Sequence, residues 1–122
     1  LDLDHFKSIN DQQGHIAGDM ALCQIASLLQ QTLMSTGIAG RYGGDEFLLV
    51  LPATSAEQAA HYAHELNRRS QQQLGISLSL GLSQTQGEEA ATELLQRADT
   101  ALYQAKSRGR SRVESFLLTC DA

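Results

Sequence analysis

A single proline, Pro52, interrupts the chain, and no low-complexity stretch, internal repeat or block of like charges marks a linker. The 122 residues are therefore read as one domain, residues 1–122. No apolar run approaches the roughly 20 residues that would cross a bilayer, and no basic-then-apolar signal segment opens the chain. Membrane contact by this domain is not expected. Cysteine is scarce: Cys23 and Cys120 form no Cys-x-x-Cys pair, which excludes a disulfide framework and suits reduced thiols in a cytoplasmic compartment. Positive charge is the minority, with nine Lys and Arg against fourteen Asp and Glu and a net charge of −5. That balance excludes the basic face needed for sequence-independent nucleic-acid binding. Apolar residues make up 42% and charged residues 19%, the composition of a globular chain. The first residue is Leu1 rather than Met, and the chain opens directly on a strand-like stretch, which reads as a fragment.

Leu1–Leu3 has the pattern of a strand end. Asp4 follows where a helix N-cap would sit, ahead of a short helical turn through about Asn10. Asp11–Gly18 reads as a loop punctuated by Gly14 and Gly18. From Gly18 to about Ser35, Ala21, Leu22, Ile25, Leu28, Leu29 and Leu33 recur at helical steps. Two strand-like runs, Ile38–Tyr42 and Phe47–Leu51, flank Gly43-Gly44 as a hairpin. Thr54 and Ser55 precede Glu57 and Gln58 at capping-box spacing, opening a helix to about Gln72. Ile76–Gln84 alternates apolar and small residues at period two, a half-buried strand. Glu88–Ser107 is helical again, and Val113–Leu118 is a last strand. The order β-α-β-β-α-β-α-β predicts an α+β fold, a mixed sheet covered by helices.

Four groups of residues carry chemistry. Asp2 and Asp4 stand at a strand end, and Asp45-Glu46 follows the Gly-Gly turn. Paired carboxylates on neighbouring strand ends suit a hard divalent cation such as Mg²⁺, which takes one or two carboxylates plus phosphate oxygens. Asp4 also fits a cap and Asp45 also fits ordinary hairpin chemistry; Asp2 has no such structural role. Lys106, Arg108, Arg110 and Arg112 crowd into seven positions, either offsetting a helix dipole or clamping phosphate. Asn10 with Asp19 could read a guanine edge, or could serve as a turn residue and an acidic helix start. His5, His15, His61 and His64 lack zinc-site spacing.

Taken in register, these pieces resemble one family. Asp2-Leu-Asp-His-Phe-Lys-Ser-Ile-Asn10-Asp-x-x-Gly14-His15-x-x-Gly18-Asp19 is similar to the opening signature of the GGDEF domains, the diguanylate cyclases. Arg41-Tyr-Gly43-Gly44-Asp45-Glu46-Phe47 matches their name motif, Ser79-Leu-Gly81 their later strand, and Ala98-Asp99 through Gly109-Arg110 their C-terminal signature. The resemblance implies a ferredoxin-like fold akin to the nucleotide cyclase palm. It implies condensation of two GTP into cyclic di-GMP with release of pyrophosphate, dependent on Mg²⁺ (or Mn²⁺) and on a second copy of the domain. By position, it implies Asp2, the Leu3 carbonyl and Asp45 as metal ligands, and Asp45 with Glu46 as the catalytic acidic pair. It implies Asn10 and Asp19 on guanine, and Lys106 and Arg110 on the terminal phosphates. Lys7 and backbone near Phe6 would assist, and Gly43 and Gly44 would let the triphosphate lie against the hairpin.

Two departures stand out. The family's usual N-terminal strand start and first helix do not precede Leu1, and with them goes the upstream sensory region expected of a parent protein; that parent could be membrane-anchored with this domain on the cytoplasmic side. The Arg-x-x-Asp product-inhibition site of many members reads Met34-Ser-Thr-Gly37 here, with Gly37 fitting a helix C′ position. The alternative function is a catalytically silent, GTP-binding regulatory module.

Overall fold

A computed structural model describes residues 1–33 and 36–116. The elements are β1 (Asp2–Leu3), α1 (Phe6–Gln13), α2 (His15–Leu33), β2 (Ile38–Gly43), β3 (Glu46–Val50), α3 (Ala56–Leu74), β4 (Leu78–Leu82), α4 (Ala91–Ser107) and β5 (Arg112–Ser115). The sheet order is β2-β3-β1-β4-β5. β1 runs antiparallel to both neighbours, β2–β3 is an antiparallel hairpin, and β4–β5 is parallel, so the sheet is mixed and mostly antiparallel.

Period-two alternation sorts the two faces. Leu3, Phe47, Leu78 and Leu80 meet Leu22, Ile25, Leu29, Ala63 and Leu66 of α2 and α3 in one buried core. The opposite face turns Asp2, Ser79 and Gly81 toward α4. A Cβ on Gly81 would lie 2.3 Å from the Ala98 carbonyl oxygen and the Leu102 nitrogen; the missing side chain is what lets α4 lie flat on β4. On the β2–β3 half of that face, Ile38 and Val50 pair across the strands and are 71% and 51% exposed.

The helix α3 starts as its sequence predicts. Ser55 Oγ accepts from the Gln58 amide at 3.1 Å, and the Ser55 amide donates to Gln58 Oε1 at 3.2 Å. Elsewhere the structure corrects the local reading. Asp11–Gly18 is not a loop: α1 runs to Gln13 and α2 begins at His15. Gly14, at φ 91° and bonded through its N–H to the Asn10 carbonyl, turns the chain within one residue. Gly18 then lets the two helices close, since a Cβ there would lie 1.8 Å from Asn10 Oδ1. With α2 starting at His15, Asp19 falls beyond the first turn, which holds no acidic residue; the dipole does not account for it.

Asp4 is not an N-cap. His5 holds that position at φ 59° and no side chain caps α1, because the Asp4 carboxylate is turned into the protein. Gly37 is not a helix C′ residue. It lies beside the end of β3, where a Cβ would fall 2.7 Å from the Val50 carbonyl oxygen. β4 is shorter than Ile76–Gln84, because the Ile76 amide goes to the Ser70 carbonyl rather than to the sheet. α4 begins at Ala91 rather than Glu88, without a side-chain cap. The helix end at Ser35, Met34, the Leu117–Leu118 end of the last strand and Cys120 lie outside the described residues. Among the described residues no helix is long and apolar enough to cross a membrane.

Candidate active site

β1 is short, but it lies at the centre of the sheet, and the chain leaves it directly into α1. The hairpin tip at Gly44-Asp45 and the C-terminal end of α4 reach the same edge. A cleft of about 270 Å³ forms there, lined by Asp2, Leu3, Asp4, His5, Phe6, Lys7, Ser8, Asp45, Lys106 and Arg110. The hairpin is tied in from both sides. The Phe47 amide donates to the Leu1 carbonyl at 2.9 Å and the Leu3 amide to the Asp45 carbonyl at 3.3 Å. Arg41 donates through Nε and Nη2 to the Gly44 carbonyl at 3.0 and 2.7 Å. That clamp on the tip was not foreseen, although Arg41 belongs to the same short motif.

Asp2 is 3% exposed. Its Oδ2 pairs with Lys106 Nζ in the last turn of α4. Its Oδ1 is buried without any hydrogen-bond partner. Burial, together with the neighbouring Asp45, pushes the Asp2 carboxyl up to about 6 despite Lys106. Burial opposes the Lys106 charge, yet Asp2, with Asp45 and Glu46 nearby, holds the ammonium above its usual value. Glu46 is the β3 residue directly opposite Asp2, so the two side chains share a sheet face.

The cleft therefore holds two carboxylates, Asp45 and an Asp2 whose side chain is met by Lys106 alone, and one buried Asp2 oxygen with no partner. A desolvated acceptor left unpaired is costly in a finished core. This donor set fits a hard cation that completes its shell with water and phosphate oxygens. Among the described residues no three His, Cys, Asp or Glu side chains form a cation cage on their own.

Of the other predicted residues, Phe6, Lys7 and Arg110 line the same cleft. Gly43 and Gly44 precede Asp45 at the hairpin tip but do not line the cleft; a Cβ on either would meet nothing within 4 Å, so open space, not a crowded backbone, surrounds the tip. Asn10 and Asp19 stand apart on the α1–α2 pair. Asn10 Oδ1 packs on Gly18, the neighbour of Asp19, and the Phe6 ring reaches the same glycine.

The sequence profile described as "Diguanylate cyclase, GGDEF domain" matches residues 1–112. The chain belongs to the GGDEF domain family. It is 41% identical to the diguanylate cyclase DgcP of Pseudomonas aeruginosa, over 93% of this chain and 18% of that protein. The active GGEEF domain of a Vibrio cholerae diguanylate cyclase superposes with a TM-score of 0.88 at 38% identity, over 97% of this chain and 80% of that one. The GGDEF domain and coiled coil of DgcB from Caulobacter crescentus, solved with cyclic di-GMP, gives a TM-score of 0.88 at 30% identity, over 93% and 65%. The fold is thus the α+β fold of GGDEF domains. This GGDEF chain spans between 18% and 37% of the length of the curated diguanylate cyclases it matches.

Proposed function

We propose that this GGDEF domain is a diguanylate cyclase, joining two GTP molecules into cyclic di-GMP with release of two pyrophosphates. The observation that carries the reading is the unfinished acidic edge: Asp2 with its unpartnered Oδ1, beside Asp45 and opposite Lys106. In each half-reaction the 3′-oxygen of one GTP bonds to the α-phosphorus of the other. The bond to the β-phosphate oxygen breaks, pyrophosphate leaves and the hydroxyl proton is lost. Asp2, the Leu3 carbonyl and Asp45 would hold Mg²⁺ or Mn²⁺, with Glu46 completing the acidic edge; such an ion would supply a lower pKa for the attacking hydroxyl and neutralising charge for the leaving group.

The remaining work is positioning. Lys106 and Arg110 take the terminal phosphates, Lys7 and the backbone at Phe6 assist, and Gly43 and Gly44 leave room for the triphosphate along the hairpin. Asn10 and Asp19 take the guanine edge. One domain holds one GTP, so the second comes from another copy facing it in a symmetric pair.

The test is cyclic di-GMP formation from GTP and Mg²⁺ by a dimerised form of the protein. GTP binding without product would leave a silent nucleotide-binding module instead. Base selection has its own measurement. Asp19→Ala is expected to weaken GTP about tenfold by removing a charged acceptor while leaving ATP unchanged; equal losses for both nucleotides would remove Asp19 from the base site. Gly37 offers no side chain for a charged contact to product, so micromolar cyclic di-GMP should leave the initial velocity unchanged. Potent inhibition non-competitive with GTP would refute this.

A further inference from the structure

Asp4 is one of the most connected polar side chains of the molecule, and the reading above gives it no part. It is 6% exposed. Its Oδ1 accepts from Ser79 Oγ at 2.6 Å. Its Oδ2 accepts from Ser77 Oγ at 2.7 Å and from the Ser111 amide at 2.9 Å. The last bond joins the start of the chain to the loop after α4, across 107 residues.

That loop is held in an uncommon shape. Gly109, Arg110 and Ser111 have φ of 118°, 61° and 47°, three successive residues in a region that side chains rarely adopt without outside support. The support is visible. The Arg110 amide reaches back to the Ala105 carbonyl at 2.9 Å. Ser111 Oγ accepts from Gln71 Nε2 at 2.7 Å and Asn67 Nδ2 at 3.4 Å. Asn67 Oδ1 in turn takes the Leu78 amide at 2.8 Å. Asp4 supplies the acceptor for the loop's own backbone. Its serine donors occupy both of its oxygens, so it is a spent carboxylate and not a third ligand beside Asp2 and Asp45.

We propose that Asp4 is a positioning residue: by anchoring the Ser111 amide it fixes the left-handed 109–111 loop and so aims Arg110 into the cleft at the terminal phosphates. This rests on the phosphate role given to Arg110 above. Asp4 acts on nucleotide affinity through Arg110 alone, and only for ligands long enough to reach it.

The experiment compares GTP and GMP binding by calorimetry in Asp4→Ala, Asp4→Asn, Arg110→Ala and the Asp4→Ala/Arg110→Ala double variant. Asp4→Ala is expected to weaken GTP about tenfold, the scale of a misplaced contact, and to leave GMP unaffected. Asp4→Asn should recover most of the GTP affinity. Its amide oxygen still accepts from Ser111 and Ser77, and its NH₂ donates to a turned Ser79 hydroxyl. The double variant should bind GTP no worse than Arg110→Ala. Additive losses, or equal losses for GTP and GMP, would overturn the proposal while leaving the role of Arg110 standing. Undiminished GTP affinity in Arg110→Ala would instead remove the phosphate reading, and the proposal with it. Amide exchange in the unaltered protein needs no variant: Ser111 should be protected, and exchange at a free-loop rate would refute the anchor.

Discussion

Two acid–base pairs of this molecule invite comparison, Glu89 with Arg97 and Asp2 with Lys106. In the first, Arg97 Nη1 and Nη2 grip both Glu89 oxygens at 2.6 and 2.5 Å. The Gln86 amide adds a third donor at 3.0 Å, and Arg97 also reaches the Gln84 carbonyl at 3.2 Å. The Arg97 guanidinium holds the Glu89 carboxyl down at about 2. In the second, a single ammonium meets one oxygen, the other oxygen has no partner, and burial beside Asp45 drives the carboxyl up to about 6. In the first pair the carboxylate is fully satisfied, although Arg97 Nε is buried without a partner, and the pair ties the chain leading into α4 to that helix. The second is left short of partners at the edge where three elements converge. Incomplete satisfaction, not charge as such, separates a binding carboxylate from a structural one.

The sharpest way to break the comparison is turnover. In a dimerised protein, Asp45→Ala should lower cyclic di-GMP formation at least about a hundredfold by removing an ion ligand. It should fold normally, because the residue sits at a hairpin tip. Glu89→Gln should leave turnover unchanged. Equal turnover in both variants at saturating Mg²⁺ would erase the distinction.

Stability against pH gives the next effect, read in ion-free buffer. The folded molecule holds the Asp2 proton more tightly than the unfolded chain does. The carboxyl therefore adds stability below its ordinary value of 3.8, and that contribution is lost as pH rises through about 6. Two units correspond to about 3 kcal/mol. Asp2→Asn has no such loss, so from pH 4 to 7 it should gain about 2 kcal/mol relative to the unaltered protein in urea unfolding. A constant difference would refute the assignment.

Glu89 has the opposite sign. Its carboxyl is depressed from 4.5 to about 2, so its contribution is present above pH 4.5 and fades as pH falls toward 2. The gap in melting temperature between the protein and Glu89→Gln should close over that acid range. A gap that persists at pH 2 would contradict this.

The same contrast explains what sequence reading could and could not see. The hairpin around Gly43-Gly44, the Ser55–Gln58 capping box and the apolar stripe of α2 depend on residues a few positions apart, and all three were legible. So was the acidic edge, because Asp2 and Asp45 belong to compact motifs. The roles of Asp4 and Gly14 were not. Asp4 looked like a cap because its partners Ser77, Ser79 and Ser111 lie 73, 75 and 107 residues away. Gly14 looked like a loop because a one-residue break between helices leaves the same local signature as a longer turn. β4 was overextended because alternation continues through Ile76 and Ser77, whose polar groups serve Ser70 and Asp4 instead of the ladder.

The central place of β1 bears on how the molecule assembles. The β2–β3 hairpin closes between near neighbours in the chain, and the β4–α4–β5 unit closes through its own helix. Leu1 and Asp4, on either side of β1, join them by bonds that span 46 residues to Phe47 and 75 to Ser79, and closing such long loops is the slow, entropically costly part of folding. The cleft lies on this seam, so neither half carries a rudimentary site while the N-terminal segment is undocked. Nucleotide-binding competence should then appear only with the final long-range closure, and a chain cut after Asp4 would lose the seam and the acidic edge together.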